Sequence, residues 1–82
     1  MTNETVLAGL VEIVAAIARV DTSEVTAEKY FTDDLDIDSL AMVDVAVRAE
    51  DKFGVKIPDD ELANLKTVGA TADYIATLIE TK

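Results

Sequence analysis

The stretch that decides the fold is Asp38-Ser-Leu-Ala-Met-Val-Asp-Val-Ala-Val-Arg-Ala-Glu-Asp-Lys-Phe-Gly54. Placed on a helix at about 100° per residue, Met42, Val45, Ala46, Ala49 and Phe53 fall within one arc, the natural core face. Asp38 is a good N-cap, because its carboxylate can accept first-turn N–H groups, and Gly54 supplies a left-handed stop. Leu40, Val43 and Val47 form a second apolar arc roughly opposite, with Asp44, Glu50 and Asp51 in or beside it. A bundle helix needs one apolar stripe. Either the preceding loop or the next helix covers the second, or it is a docking face, apolar at its centre and ringed by acids.

Outward from this helix, the same period recurs. From a cap at Thr2 or Asn3 to about Arg19, Val6, Leu10, Ile13 and Ile17 step by one helical turn, with Leu7, Val14 and Ala18 widening the stripe. A short third helix is expected after Pro58, capped by Asp59 and ending near Leu65. A last one starts at Thr67 on Val68, Ala72, Ile75 and Ile79. No segment alternates with period two. The expected fold is therefore all-α, a four-helix bundle of three long helices and one short, with residues 1–82 as a single domain. Residues 20–37 show no period and read as a long loop, pinned to the core by Val25, Tyr30, Phe31, Leu35 and Ile37.

Composition narrows the chemistry. The 82 residues contain no cysteine and no histidine, which excludes disulfides, thiolate or imidazole metal sites and a Ser-His-Asp relay. Seventeen acids against seven bases give −10, which argues against nucleic acid and anionic membrane as partners. The acids concentrate between residues 33 and 61, where ten of them (Asp33, Asp34, Asp36, Asp38, Asp44, Glu50, Asp51, Asp59, Asp60 and Glu61) face Arg48, Lys52 and Lys56. The longest apolar run, Ile13 to Ala18, is too short to cross a bilayer, and no basic segment precedes an apolar one. The chain reads as a soluble, cytoplasmic monomer.

Asp34, Asp36 and Asp38 have the i, i+2, i+4 spacing of a calcium loop. Its sixth position should be glycine and is Ser39; its twelfth should be glutamate and is Val45. That site is rejected, and no metal ligand set is assigned.

Ser39 stands in the first turn of the second helix. A serine nucleophile needs a base, and the chain has no histidine to supply one. Ser39 is a poor catalyst and a good acceptor of modification, because a phosphate ester there would meet the positive end of the helix. The ordinary alternative is a capping hydroxyl. Asp38-Ser39-Leu40 alone says little. Together with its approach from Phe31-Thr-Asp-Asp-Leu-Asp-Ile, with Val55-Lys-Ile57-Pro58-Asp-Asp-Glu and with Leu65-Lys-Thr67-Val68-Gly, it resembles bacterial acyl carrier proteins over nearly the whole chain.

The resemblance implies a non-enzymatic carrier with 4′-phosphopantetheine on Ser39, attached from coenzyme A by a separate phosphopantetheinyl transferase. The terminal thiol of that arm would hold growing acyl chains as thioesters. It implies docking to type II fatty-acid synthase enzymes through their basic patches, with Asp38, Leu40, Val43, Asp44, Val47, Glu50, Asp51 and Ile57 as the partner-binding residues. It also implies an acyl cavity, for which Ala46, Ala49, Leu62 and Ile75 are candidates beside the plain reading of packed core. Ala41 replaces a common acid, Arg48 adds a cation to the docking helix, and Asp36 replaces a common glycine ahead of the serine. The last departure favours fatty-acid over polyketide synthesis. Polyketide or peptidyl and aminoacyl carriers remain the alternatives, with a plain acidic interaction module as a different class.

Overall fold

The computed structural model describes residues 3–80. Among the described residues four helices run in the order α1 (Asn3–Ala18), α2 (Ser39–Phe53), α3 (Asp59–Leu62) and α4 (Val68–Glu80), with a 3-10 turn at Thr22–Glu24. The protein is an all-helical bundle: α1 packs against both α2 and α4, and α3 lies against α2.

Of the two candidate caps for α1, Thr2 lies outside the described residues. Asn3 is the first helical residue, and its side-chain amide donates to the Asp73 carboxylate, tying the start of α1 to α4. The buried stripe of α1 centres on Val6, Leu10 and Val14, whereas Ile13 and Ile17 are only partly buried. Gly9 is part of the reason. It faces α2 so closely that a Cβ there would come within 2.9 Å of the Phe53 ring. The helix thus turns its smallest residue, invisible to hydropathy, toward its neighbour. Arg19 closes α1 in the left-handed region (φ 61°), and Val20 N–H reaches back to Ala15 O at 3.1 Å.

The long loop is laced to the start of α4. Phe31 N–H donates to Lys66 O (3.0 Å), Val68 N–H to Lys29 O (3.1 Å) and Gly69 N–H to Ala27 O (2.9 Å), around an antiparallel bridge between Tyr30 and Thr67. Val25, Phe31, Leu35 and Ile37 are buried as expected. Tyr30 is not: it is 47% exposed. Its backbone serves the turn instead, with Tyr30 O accepting from Asp34 and Leu35 and Tyr30 N–H donating to the Asp34 carboxylate at 2.8 Å.

Helix α2 buries Met42, Val45, Ala46, Ala49 and Phe53. Asp38 caps it and Gly54 ends it at φ 67°. Helix α3 differs from expectation at both ends. Pro58 occupies the N-cap position with no side-chain bond, so Asp59 is already helical. After Leu62 the chain continues in tighter turns, with Asn64 N–H to Glu61 O and Leu65 N–H to Leu62 O. In α4, Thr67 Oγ1 caps Ala70 N–H at 3.1 Å; Val68, Ala72 and Ile75 are buried and Ile79 partly so.

Three described residues have positive φ: Arg19, Asp36 (φ 55°) and Gly54. Gly54→Ala should cost about 1–2 kcal/mol, because a Cβ is strained there. Asp36→Gly should gain about 0.5 kcal/mol, since relief of strain exceeds the added chain entropy. Urea unfolding of both variants checks the opposite signs.

Candidate functional site

Ser39 is the first helical residue of α2, and it is exposed. Asp38 prepares this end: its Oδ1 accepts Ala41 N–H at 2.9 Å and its carbonyl accepts Met42 N–H at 2.9 Å. The N–H groups of Ser39 and Leu40 have no acceptor within the helix, so the turn presents donors beside the hydroxyl. Ile37, buried one residue before the cap, anchors the approach through its N–H to Phe31 O at 2.8 Å.

Beside Ser39 opens a cleft of about 720 Å³. Phe31, Met42, Val43, Leu62, Ala63 and Leu65 supply its apolar wall; Tyr30, Thr32, Asp33, Asp38, Asp59 and Lys66 form the polar side. Of the four cavity candidates, Leu62 alone lines this space. Ala46, Ala49 and Ile75 are packed core. The cleft lies nearer the start of α2, because the loop at residues 30–33 forms one of its walls. Tyr30 and Lys66 carry no local sequence signal for such a position; only the bridge between distant segments brings them there.

The second apolar arc of α2 is uncovered. Leu40 is 81% exposed, Val43 46% and Val47 55%, so neither the loop nor α3 shields them. Asp44 and Asp51 are exposed on the same helix, but the acids differ in what they already hold. Asp44 Oδ1 pairs with Arg48 Nε at 3.2 Å, an exposed contact worth about 0.3–0.5 kcal/mol. Asp38 is engaged by Ala41 N–H. Glu50 is half-buried and accepts Ile57 N–H at 2.7 Å. Ile57 itself does not join the face: its side chain is 5% exposed and sits in the core. The structure therefore brings Leu40, Val43, Asp44, Val47 and Asp51 together, leaves Glu50 at the edge and withdraws Ile57.

Two titrating groups are displaced. The Glu28 carboxyl is lowered, chiefly by a hydrogen bond from the Thr26 side chain. Tyr74 is raised, first by desolvation and then by the carboxylates of Glu61 and Asp60 on α3. Among the described residues no cluster of three or more metal-ligating side chains occurs, and no helix is long and apolar enough to cross a membrane.

Residues 8–75 match the family described as "Phosphopantetheine attachment site". Over 76 residues the chain is 60% identical to the acyl carrier protein of Acidothermus cellulolyticus, covering 93% of this chain and 90% of that one. This chain belongs to the acyl carrier protein family. Another carrier, the meromycolate extension acyl carrier protein of Mycolicibacterium smegmatis, is 57% identical over 79 residues, 96% of this chain and 80% of its own. Among solved structures, the acyl carrier protein of Enterococcus faecalis superposes with a TM-score of 0.79 at 33% identity, covering 95% of this chain and 99% of that one. The cofactor of the carrier is phosphopantetheine. An exposed hydroxyl at a helix start, next to an open and mostly apolar cleft, fits such a group.

The carrier's acidic middle should repel itself, and millimolar magnesium should raise Tm by a few degrees through screening. A Tm unmoved by divalent ions would show these carboxylates already compensated. Tyr74 yields a second expectation. Its folded pKa lies above the unfolded one, so its stabilising contribution is full below about pH 10 and disappears as pH climbs through the folded value. Tyr74→Phe should flatten that alkaline fall in Tm.

Proposed function

We propose that Ser39 is the attachment residue for 4′-phosphopantetheine and that the carrier serves a type II fatty-acid synthase in the cytoplasm, as a monomer that catalyses nothing itself. The observation that supports this most is the pairing of the exposed Ser39 hydroxyl with a cleft whose wall is apolar. The bound group supplies a terminal thiol that holds the acyl chain as a thioester, chemistry that a cysteine-free chain lacks.

The residues of this chain present, orient and shelter. Asp38 fixes the first turn of α2, so the Ser39 hydroxyl leaves from a rigid helix end. The free N–H groups of Ser39 and Leu40 suit an anionic phosphodiester. With no histidine in the chain, the proton of the Ser39 hydroxyl is removed by a base of the phosphopantetheinyl transferase. Phe31, Met42, Leu62 and Leu65 offer an acyl chain a surface away from water.

Partner enzymes meet the carrier on α2. Leu40, Val43 and Val47 form the apolar centre, while Asp44, Asp51 and the edge carboxylate Glu50 face basic patches on the transferase and synthase enzymes. Such charge speeds encounter and selects partners more than it adds affinity. Relatives named for meromycolate extension support a fatty-acyl cargo.

Intact mass after incubation with coenzyme A, magnesium and a phosphopantetheinyl transferase should show one added phosphopantetheine, absent in Ser39→Ala. Addition that persists in Ser39→Ala would move the attachment elsewhere. Asp44→Lys should lower kcat/KM for the transferase by about tenfold at low salt, while altering stability by no more than about 0.5 kcal/mol. Unchanged kinetics at low salt would remove Asp44 from the docking face, since screening could not explain them.

A further inference from the structure

Glu50 is the acceptor on which the turn after α2 is built. Its carbonyl oxygen takes Gly54 N–H at 2.8 Å and Val55 N–H at 3.3 Å, and its Oε2 takes Ile57 N–H at 2.7 Å. Three amides within four residues thus converge on one glutamate. The turn they organise buries Val55 and Ile57, then delivers Pro58 and the single turn of α3, whose Leu62 lines the cleft beside Ser39. The same Glu50 lies one helical turn beyond Val47 and next to Asp51, at the edge of the exposed apolar face. One carboxylate therefore belongs to two surfaces.

We propose that Glu50 is a positioning residue that couples partner docking to the wall of the cleft. A partner arginine that takes the carboxylate withdraws it from the Ile57 amide and frees the segment that sets α3. The guanidinium fork engages both carboxylate oxygens in parallel, including the one Ile57 holds. It brings a full positive charge, whereas the backbone amide brings only a dipole, so the arginine is the stronger claimant in a contact that excludes water. Loss of the Ile57 bond leaves Gly54 and Val55 closing α2 but removes the hydrogen bond that ties the residue before Pro58 back to the helix. The coupling rests on the reading of α2 as the docking face.

The test follows amide exchange by NMR on the full chain without its arm, alone and with a phosphopantetheinyl transferase. Coenzyme A is withheld so that the complex does not turn over. In the free protein, Glu50→Ala should speed exchange at Ile57 about tenfold, and Glu50→Gln, which keeps an oxygen acceptor, should restore protection. On saturation with transferase, Ile57 should exchange faster and the Leu62 and Ala63 signals should move, while Ala49 in the helix stays protected. Transferase that shifts Leu40, Val43 and Asp51 yet leaves Ile57 protected would overturn the coupling and spare the docking face. Transferase that shifts none of those three would overturn the docking face and the coupling with it. Ile57 exchange unchanged in Glu50→Ala would show that the carboxylate never held the amide.

Discussion

The site depends on a short run of backbone hydrogen bonds between residues 27–31 and 66–69. They are few, but they join the middle of an otherwise aperiodic loop to the first turn of α4. With Phe31 and Ile37 buried beyond them, the loop reaches the start of α2 on a fixed course. The cleft follows from the same bonds, because Tyr30 and Phe31 on one strand of the bridge, and Leu65 and Lys66 beside the other, supply much of its lining. Gly69 permits the approach, since a Cβ there would stand 3.0 Å from Ala27 O. A loop of this length can be ordered at modest hydrogen-bond cost because its large apolar side chains enter the common core.

The acidic face of α2 is less uniform than its formal charge suggests. Asp44 is partly neutralised by Arg48, one turn further along, and Glu50 is bound to the backbone of the following turn. Asp51 and the rim acids of the cleft carry more of the field that, on the proposed reading, an approaching enzyme would meet. On the proposed docking reading, Arg48 would act on partner choice in two ways: it would weaken attraction at Asp44 and place a cation where a strictly basic patch is repelled.

Much of this was legible in the order of residues. The core face of α2 was readable to the residue, because five apolar positions within one arc leave little freedom, and Asp38 and Gly54 mark its ends by chemistry alone. The exposed arc of Leu40, Val43 and Val47 was readable as an excess over what a bundle needs. What escaped were features made by distant partners. Ile57, which the resemblance puts among the partner-binding residues, has its side chain in the core, and its N–H meets a carboxylate seven residues earlier. The centre of the α1 stripe shifted because a glycine, silent in any hydropathy pattern, faces Phe53. Tyr30 gave a core signal by type, yet its neighbours Phe31 and Leu35 occupy the interior and leave its ring at the cleft.

The cleft opens beside the residue to which, on the proposed reading, the cargo is tied, and this changes what the cleft must do. A tethered guest is present at an effective concentration in the millimolar range, however dilute the protein. Even a cavity with little affinity for a free acyl chain would then be filled for much of the time, and filling it would stabilise the fold by mass action. Weak retention is an advantage for such a guest, since it must leave again at every encounter with an enzyme. The open, mostly apolar lining around Ser39 suits a shelter that is entered and vacated continually, with the covalent bond, not the pocket, preventing loss.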